Sequence, residues 1–156
     1  MDGRARPRGL PCAVTMLVAV IGLGACGGHD VQAGFGLPTQ PPDEPFVGDR
    51  TALAGTFWVE DNGCFTLELD PGTAGQEDHP RRWVVWPSDA EHAGDRVRLA
   101  GGSELLDGAR VTGTGAVVAL GTLPGWSDPS SYYGSFGRFC TTGVDQVVVL
   151  DAVARE

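Results

Sequence analysis

The sequence predicts an all-β domain, a small barrel of five to six strands with a sandwich as the alternative. Three observations carry that expectation. Short apolar runs recur between corners rich in Gly, Pro and Asp, a pattern of strands and turns rather than of long helices. Asn62-Gly63 stands between two such runs, and Asn-Gly there marks a tight hairpin. The long run from Arg110 to Leu120 carries Gly113 and Gly115, where a strand can bend or bulge enough for a sheet to close on itself.

The first hairpin joins Leu53–Glu60 to Cys64–Asp70. In its second arm Phe65, Leu67 and Leu69 fall on one face and Cys64, Thr66 and Glu68 on the other. Arg82–Trp86 reads RWVVW, strongly β-prone, and is stopped by Pro87. Trp83 and Trp86 point to opposite faces of that strand, so at most one of them faces the barrel interior. Arg96–Ala100 alternates through Val97 and Leu99 before Gly101-Gly102, and Gln146–Val153 closes the series with QVVVLDAV. Helix signals are few. Ser88-Asp89-Ala90-Glu91 has capping-box spacing, with Gly94 ending any helix within about two turns, and Asp128-Pro129 is placed to cap and start a short helix over Ser130–Tyr133.

One stretch stands apart. Residues 121–139 (GTLPGWSDPSSYYGSFGRF) gather Trp126, Tyr132, Tyr133, Phe136 and Phe139 among Gly, Ser and Pro. Rigid aromatics on such a loop suit contact with a ligand or partner, which makes Trp126, Tyr132, Tyr133 and Phe136 the candidate contact residues. The competing expectation is a cover over one open end of the barrel, because a barrel this small needs its ends closed.

The N-terminus carries a different kind of signal. Arg4, Arg6 and Arg8 precede an uncharged apolar run from Ala13 to Ala25, a basic segment followed by a hydrophobic one too short to span a bilayer. The run ends in Leu23-Gly24-Ala25-Cys26, which resembles the lipobox of bacterial lipoproteins. The resemblance implies that residues 1–25 are a signal peptide, that Cys26 receives a diacylglyceryl group and becomes the first mature residue, and that the protein lies outside the cytoplasm, anchored to the outer face of the cell membrane. Two acyl chains are enough for stable anchoring. Residues 26–50, rich in Gly and Pro, then read as a disordered tether with an average span of about 25 Å, leaving 51–156 as the barrel domain. In that setting Cys12 leaves with the leader and Cys26 is lipidated. Cys64 and Cys140 remain, and in an oxidising compartment they are expected to form a disulfide. The segments GCFTLEL (63–69), VVWP (84–87) and LLDGARVTGTG (105–115) resemble small OB-like barrel domains of actinobacterial secreted proteins, a resemblance that brings no catalytic motif with it.

Composition narrows the function classes. The chain has 20 acidic residues against 11 basic ones, a net charge of −9, and removal of the arginine-bearing leader makes it more acidic still. Phosphates and anionic head groups repel such a chain, so nucleic acid is not an expected partner and the lipid supplies the membrane contact. A chain with no lysine holds no phosphate-binding Gly-x-x-x-x-Gly-Lys loop, and Gly134-Ser135-Phe136-Gly137 lacks the Gly-x-Ser-x-Gly spacing of a nucleophile elbow. Glu77, Asp78, His79, Asp89, Glu91, His92 and Asp95 lie on the loops at opposite ends of the RWVVW strand, about 13 Å apart at 3.3 Å per residue, which disfavours a shared metal site. No cofactor is expected.

The sequence therefore points to a non-catalytic, lipid-anchored envelope protein that binds a protein partner or acts structurally outside the membrane. Two other readings stay open: a small-ligand or carbohydrate binder using 121–139, and an extracytoplasmic hydrolase that pairs His79 or His92 with a carboxylate.

Overall fold

The structure is a computed structural model that describes residues 36–41, 46–73, 80–141 and 143–156. Cys26 and the lipobox fall outside these residues, as do Glu77, Asp78 and His79. Five strands close a barrel: β1 (Thr51–Val59), β2 (Phe65–Leu69), β3 (Arg82–Val85), β7 (Arg110–Ala119) and β8 (Gln146–Arg155), in the order β1-β2-β3-β8-β7. All pairings are antiparallel except β3 with β8. The fifth barrel strand thus sits between the third and fourth, the crossed connection of a five-stranded Greek-key, OB-like barrel. Three two-residue strands, β4 (Glu91–His92), β5 (Val97–Arg98) and β6 (Glu104–Leu105), form a separate small sheet.

Local chemistry accounts for the corners. Between β1 and β2, Gly63 takes a left-handed φ of 79°, and the Asn62 side-chain oxygen accepts the Cys64 N–H at 3.0 Å. In β7 the expected irregularity is a register shift between Thr114 and Gly115. A Cβ at Gly113 would overlap the Ala152 carbonyl oxygen, and one at Gly115 the Val149 carbonyl oxygen. These glycines let β7 and β8 approach closely where the wall bends.

Two apolar layers result. The interior holds Leu53, Phe57, Phe65, Leu67, Leu69, Val84, Trp86, Val111, Val148 and Leu150, as the two-residue alternation of each strand requires. Trp86 meets Phe57 edge-on at 5.8 Å. The segment from Ala90 to Leu105, expected to open with a short helix, instead forms the small sheet and sends Val97, Leu99 and Leu105 into this interior. Gly94, at φ 76°, makes the turn between β4 and β5. The opposite faces of β3, β7 and β8 are also apolar. Trp83, Val85, Ala116, Val118, Val147 and Val149 form a second buried cluster outside the barrel wall.

A helix covers that second cluster. α1 (Tyr132–Cys140) is longer than the expected turn over 130–133 and is capped by Ser131, whose hydroxyl accepts the Gly134 N–H, rather than by Asp128. It contributes Tyr133, Phe136 and Cys140 to the outer cluster. The aromatic stretch therefore covers the side of the barrel and not an open end, because the exposed apolar surface lies on the side.

The segment expected as tether is also partly structured. Trp86 N–H donates to the Pro38 carbonyl at 2.7 Å and Gln40 N–H to the Trp86 carbonyl at 2.8 Å, while Leu37 and Phe46 are buried in the inner and outer clusters. The packed domain thus begins before Thr51.

Substituting Gly115→Ala should lower stability by about 1–3 kcal/mol, the usual cost of overpacking, whereas Gly101→Ala, with open space around its Cβ, should change it by less than about 0.5 kcal/mol. Thermal or urea unfolding of the two variants checks this.

Candidate functional site

The four aromatics proposed from sequence separate into two sets. Tyr132, Tyr133 and Phe136 come together, with ring centroids 4.9 Å apart for Tyr132–Tyr133 and 5.2 Å for Tyr132–Phe136. They grip the N-terminal segment. Tyr133 OH donates to the Thr39 carbonyl at 2.7 Å, and Tyr132 OH donates to the Leu37 carbonyl at 3.2 Å. Phe136 packs beside Gly36, where a Cβ would lie 3.1 Å from its ring. Trp126 lies across Gly137, whose missing Cβ leaves room for its ring, with the Arg138 guanidinium 5.9 Å above. None of the four lines the cleft described below. Their geometry is that of a clamp.

The disulfide fixes this layer. Cys64, in the β1–β2 corner, is bonded to Cys140 at the end of α1, with Cα atoms 5.5 Å apart. Asn62 adds a hydrogen bond from its side-chain amide to the Phe139 carbonyl at 3.3 Å. The hairpin turn and the helix end are thus joined covalently, and α1 stays pressed on Trp83 and Val149.

A cleft of about 350 Å³ opens elsewhere, between the second half of β8 (Asp151–Ala154), the β5–β6 turn (Leu99–Ser103) and the Pro87–Ala90 corner. It arises from unequal strand lengths. β3 ends at Val85, just before Trp86-Pro87, while β8 continues to Arg155. In the parallel ladder the donor that would follow is the residue-87 N–H, which proline lacks. The Leu150 carbonyl instead accepts the Gln40 side-chain amide at 2.6 Å. Beyond that point β8 diverges from β3, and the space between them becomes the cleft.

Two carboxylates border it. Asp151 accepts from Arg50 Nε at 2.6 Å and from Gln40 Nε2 at 3.1 Å, while Asp89 is exposed. Ala90, Leu99 and Val153 supply apolar wall.

Among the described residues the acidic loop residues do not assemble into a site. On the small sheet Glu104 bonds Arg96 and Arg98 at 3.2 Å each, and Arg96 also bonds Asp95 at 2.9 Å. Hydrogen bonds from these arginines hold the Glu104 and Asp95 carboxyls below their ordinary range. His92 rests against the Phe65 ring at 5.5 Å, and no carboxylate lies within ion-pair distance of it among the described residues. These residues also contain no cluster of three or more metal-ligating side chains. No protein-family model, curated protein or solved structure matches the chain.

Apart from Asp89, named among the loop acids, the cleft residues were not singled out from the sequence. A signal for them existed: the apolar run before Pro87 is short and the last strand is long, so part of the last strand must lack a neighbour on one side.

Burial pushes the Tyr133 phenol well above its ordinary range, and the neighbouring Tyr132 adds to the effect. A phenol whose folded pKa is raised stabilises the fold below its unfolded pKa, and that contribution is lost as pH rises beyond about 10. Tyr133→Phe should therefore lower stability at pH 7 by about 1 kcal/mol through the lost hydrogen bond. It should also flatten the fall in stability above pH 10. Unfolding measured at pH 7 and pH 10.5 checks both.

Proposed function

We propose that this chain is a lipid-anchored envelope protein whose barrel binds a partner outside the membrane, with no catalytic step of its own. The observation that carries the reading is the Cys64–Cys140 bridge in a chain that presents Cys26 at the end of a lipobox-like segment. Disulfides persist in oxidising compartments, and of the four cysteines this pairing leaves Cys26 for lipid and Cys12 for the discarded leader. The packed segment at Gly36–Gln40 supports the same arrangement, since it gives the chain arriving from the anchor a fixed point of attachment on the barrel. The cleft beside β8 is the binding face on this reading: it is partly apolar, bordered by carboxylates, and unlike the aromatic residues of α1 it is not occupied by the domain's own packing.

The small-ligand reading through residues 121–139 is less favoured, because Tyr132, Tyr133 and Phe136 are engaged with residues 36–39. A hydrolase built on His92 is disfavoured by the lack of a carboxylate partner among the described residues.

The test is expression of the full chain in a lipoprotein-processing bacterium, followed by fractionation and intact-mass measurement. The expected product begins at Cys26, carries a diacylglyceryl group and stays in the membrane fraction through a high-salt wash. Cys26→Ser should abolish both the cleavage and the lipid mass. Wild-type chain recovered with residues 1–25 intact, or free of lipid in the soluble fraction, would contradict the proposal.

A further inference from the structure

The large apolar side chains left in water are unevenly placed. Among the described residues four are exposed, and three of them, Val47 (87%), Tyr132 (41%) and Phe139 (42%), belong to the outer layer. Tyr132 and Phe139 lie two helical turns apart on α1, on the side opposite Tyr133, Phe136 and Cys140. Exposed Arg138 stands beside Phe139. Val47 follows Phe46, whose ring meets Tyr133 edge-on at 5.2 Å. Asp128, ahead of the helix, is occupied by the N–H and hydroxyl of Ser130. The outer face of α1 thus offers two aromatic rings and a guanidinium.

The chain enters the domain at the same place. Gly36 lies against the Phe136 ring, and the Leu37 carbonyl accepts from Tyr132 OH. Ten residues lead from Cys26 to Gly36, and they span at most about 35 Å even when fully extended. A domain of about 110 residues has a radius of gyration of about 13 Å, so a path of about 50 Å separates the point of entry from the opposite side along the surface. A chain anchored at Cys26 therefore cannot turn the far side of the barrel to the membrane. The surroundings of α1 stay nearest to it.

We propose that the outer face of α1 rests on the lipid surface, with Val47, Tyr132 and Phe139 in the head-group region and Arg138 on lipid phosphate. Aromatic rings and arginine settle at that boundary, where one part of each side chain is dry and the other wet. The net charge of −9 keeps the acidic remainder of the domain away from anionic head groups, so one face is selected. None of these residues lines the cleft, which is left to the partner. The inference rests on the lipid-anchor reading for the attachment at Cys26 and goes beyond it by orienting the domain.

The test supplies the anchor chemically, so it reads the α1 face whether or not cells lipidate Cys26. With Cys12→Ser, the full chain made in a host with an oxidising cytoplasm has one free thiol, Cys26, since Cys64 and Cys140 are bonded to each other. That thiol is coupled to a maleimide phospholipid in vesicles of phosphatidylethanolamine and phosphatidylglycerol. A benzophenone amino acid replaces Phe139, Val47 or Leu106 in separate preparations, and irradiation converts contact with lipid into an added lipid mass. Leu106, 40% exposed, is the control. It precedes the start of β7, and the stretch from Arg110 to Ala116, in the cluster under α1, spans about 20 Å. Lipid adduct at positions 139 and 47 should exceed that at 106 at least fivefold. The preference should persist when about twenty Gly and Ser residues are inserted after Gly27, a length that lets every side of the domain reach the membrane. Thermal unfolding within a few degrees of the parent chain establishes that each barrel is intact, and the probe at Val47 keeps the comparison if replacing Phe139 disturbs α1. Equal adduct at the probe positions and at 106, or more at 106, would overturn the proposal. A preference that disappears on lengthening would also overturn it, because the short tether alone would then account for the contact.

Discussion

The structure depends on two adjacent strands that are apolar on both faces. Every residue of β3 is buried, as are residues 147–150 of β8. Val84, Trp86, Val148 and Leu150 fill the barrel, and Trp83, Val85, Val147 and Val149 face the other way. A barrel covers only its inner surface. Leaving the outer set in water would forgo about 1.5–3 kcal/mol for each large side chain, so a second layer is required. α1, Leu120, Leu123 and Phe46 supply it. The Cys64–Cys140 bridge holds that layer to the hairpin on the neighbouring strands, and the tyrosines of α1 in turn hold the chain at residues 37–39.

Pro87 determines where the two-sided burial ends. It removes the donor that would continue the β3–β8 ladder, the Gln40 side chain satisfies the carbonyl left over, and β8 proceeds with one partner. Strand edges in this condition attract other strands. The feature that stops one strand therefore also produces the cleft.

Much of the barrel was legible in the sequence. The Asn62-Gly63 corner, the alternation of Phe65, Leu67 and Leu69, the opposed faces of Trp83 and Trp86, and the irregularity at Gly115 each have a local cause that the residues state directly. The outer layer was less legible for physical reasons. QVVVL and RWVVW are continuous apolar runs, the usual mark of strands buried on both faces, and without alternation they do not say what covers the second face. α1 contains Gly134 and Gly137, which lower helix propensity by about 1 kcal/mol each relative to Ala. They are present because a Cβ would overlap the Asp128 carbonyl oxygen at one and the Trp126 ring at the other. Tertiary packing, not intrinsic preference, makes this segment helical. The same applies to Leu37 and Gln40, which lie in a Gly- and Pro-rich stretch and are ordered by contacts distant in sequence. The aromatic concentration at 121–139 was visible, but whether it served a ligand or the fold depended on what lay opposite.

The central claim is that the outer face of β8 is as dry as the inner one. The most direct test is the unfolding free energy of Val149→Thr, set beside Val148→Thr on the interior side. The substitution preserves shape and adds a hydroxyl, which costs about 1–3 kcal/mol where water and hydrogen-bond partners are absent. The account predicts losses in that range for both variants. A Val149→Thr loss below about 0.5 kcal/mol, the value of a surface site, with Val148→Thr strongly destabilised, would mean that α1 does not seal the wall, and would contradict it.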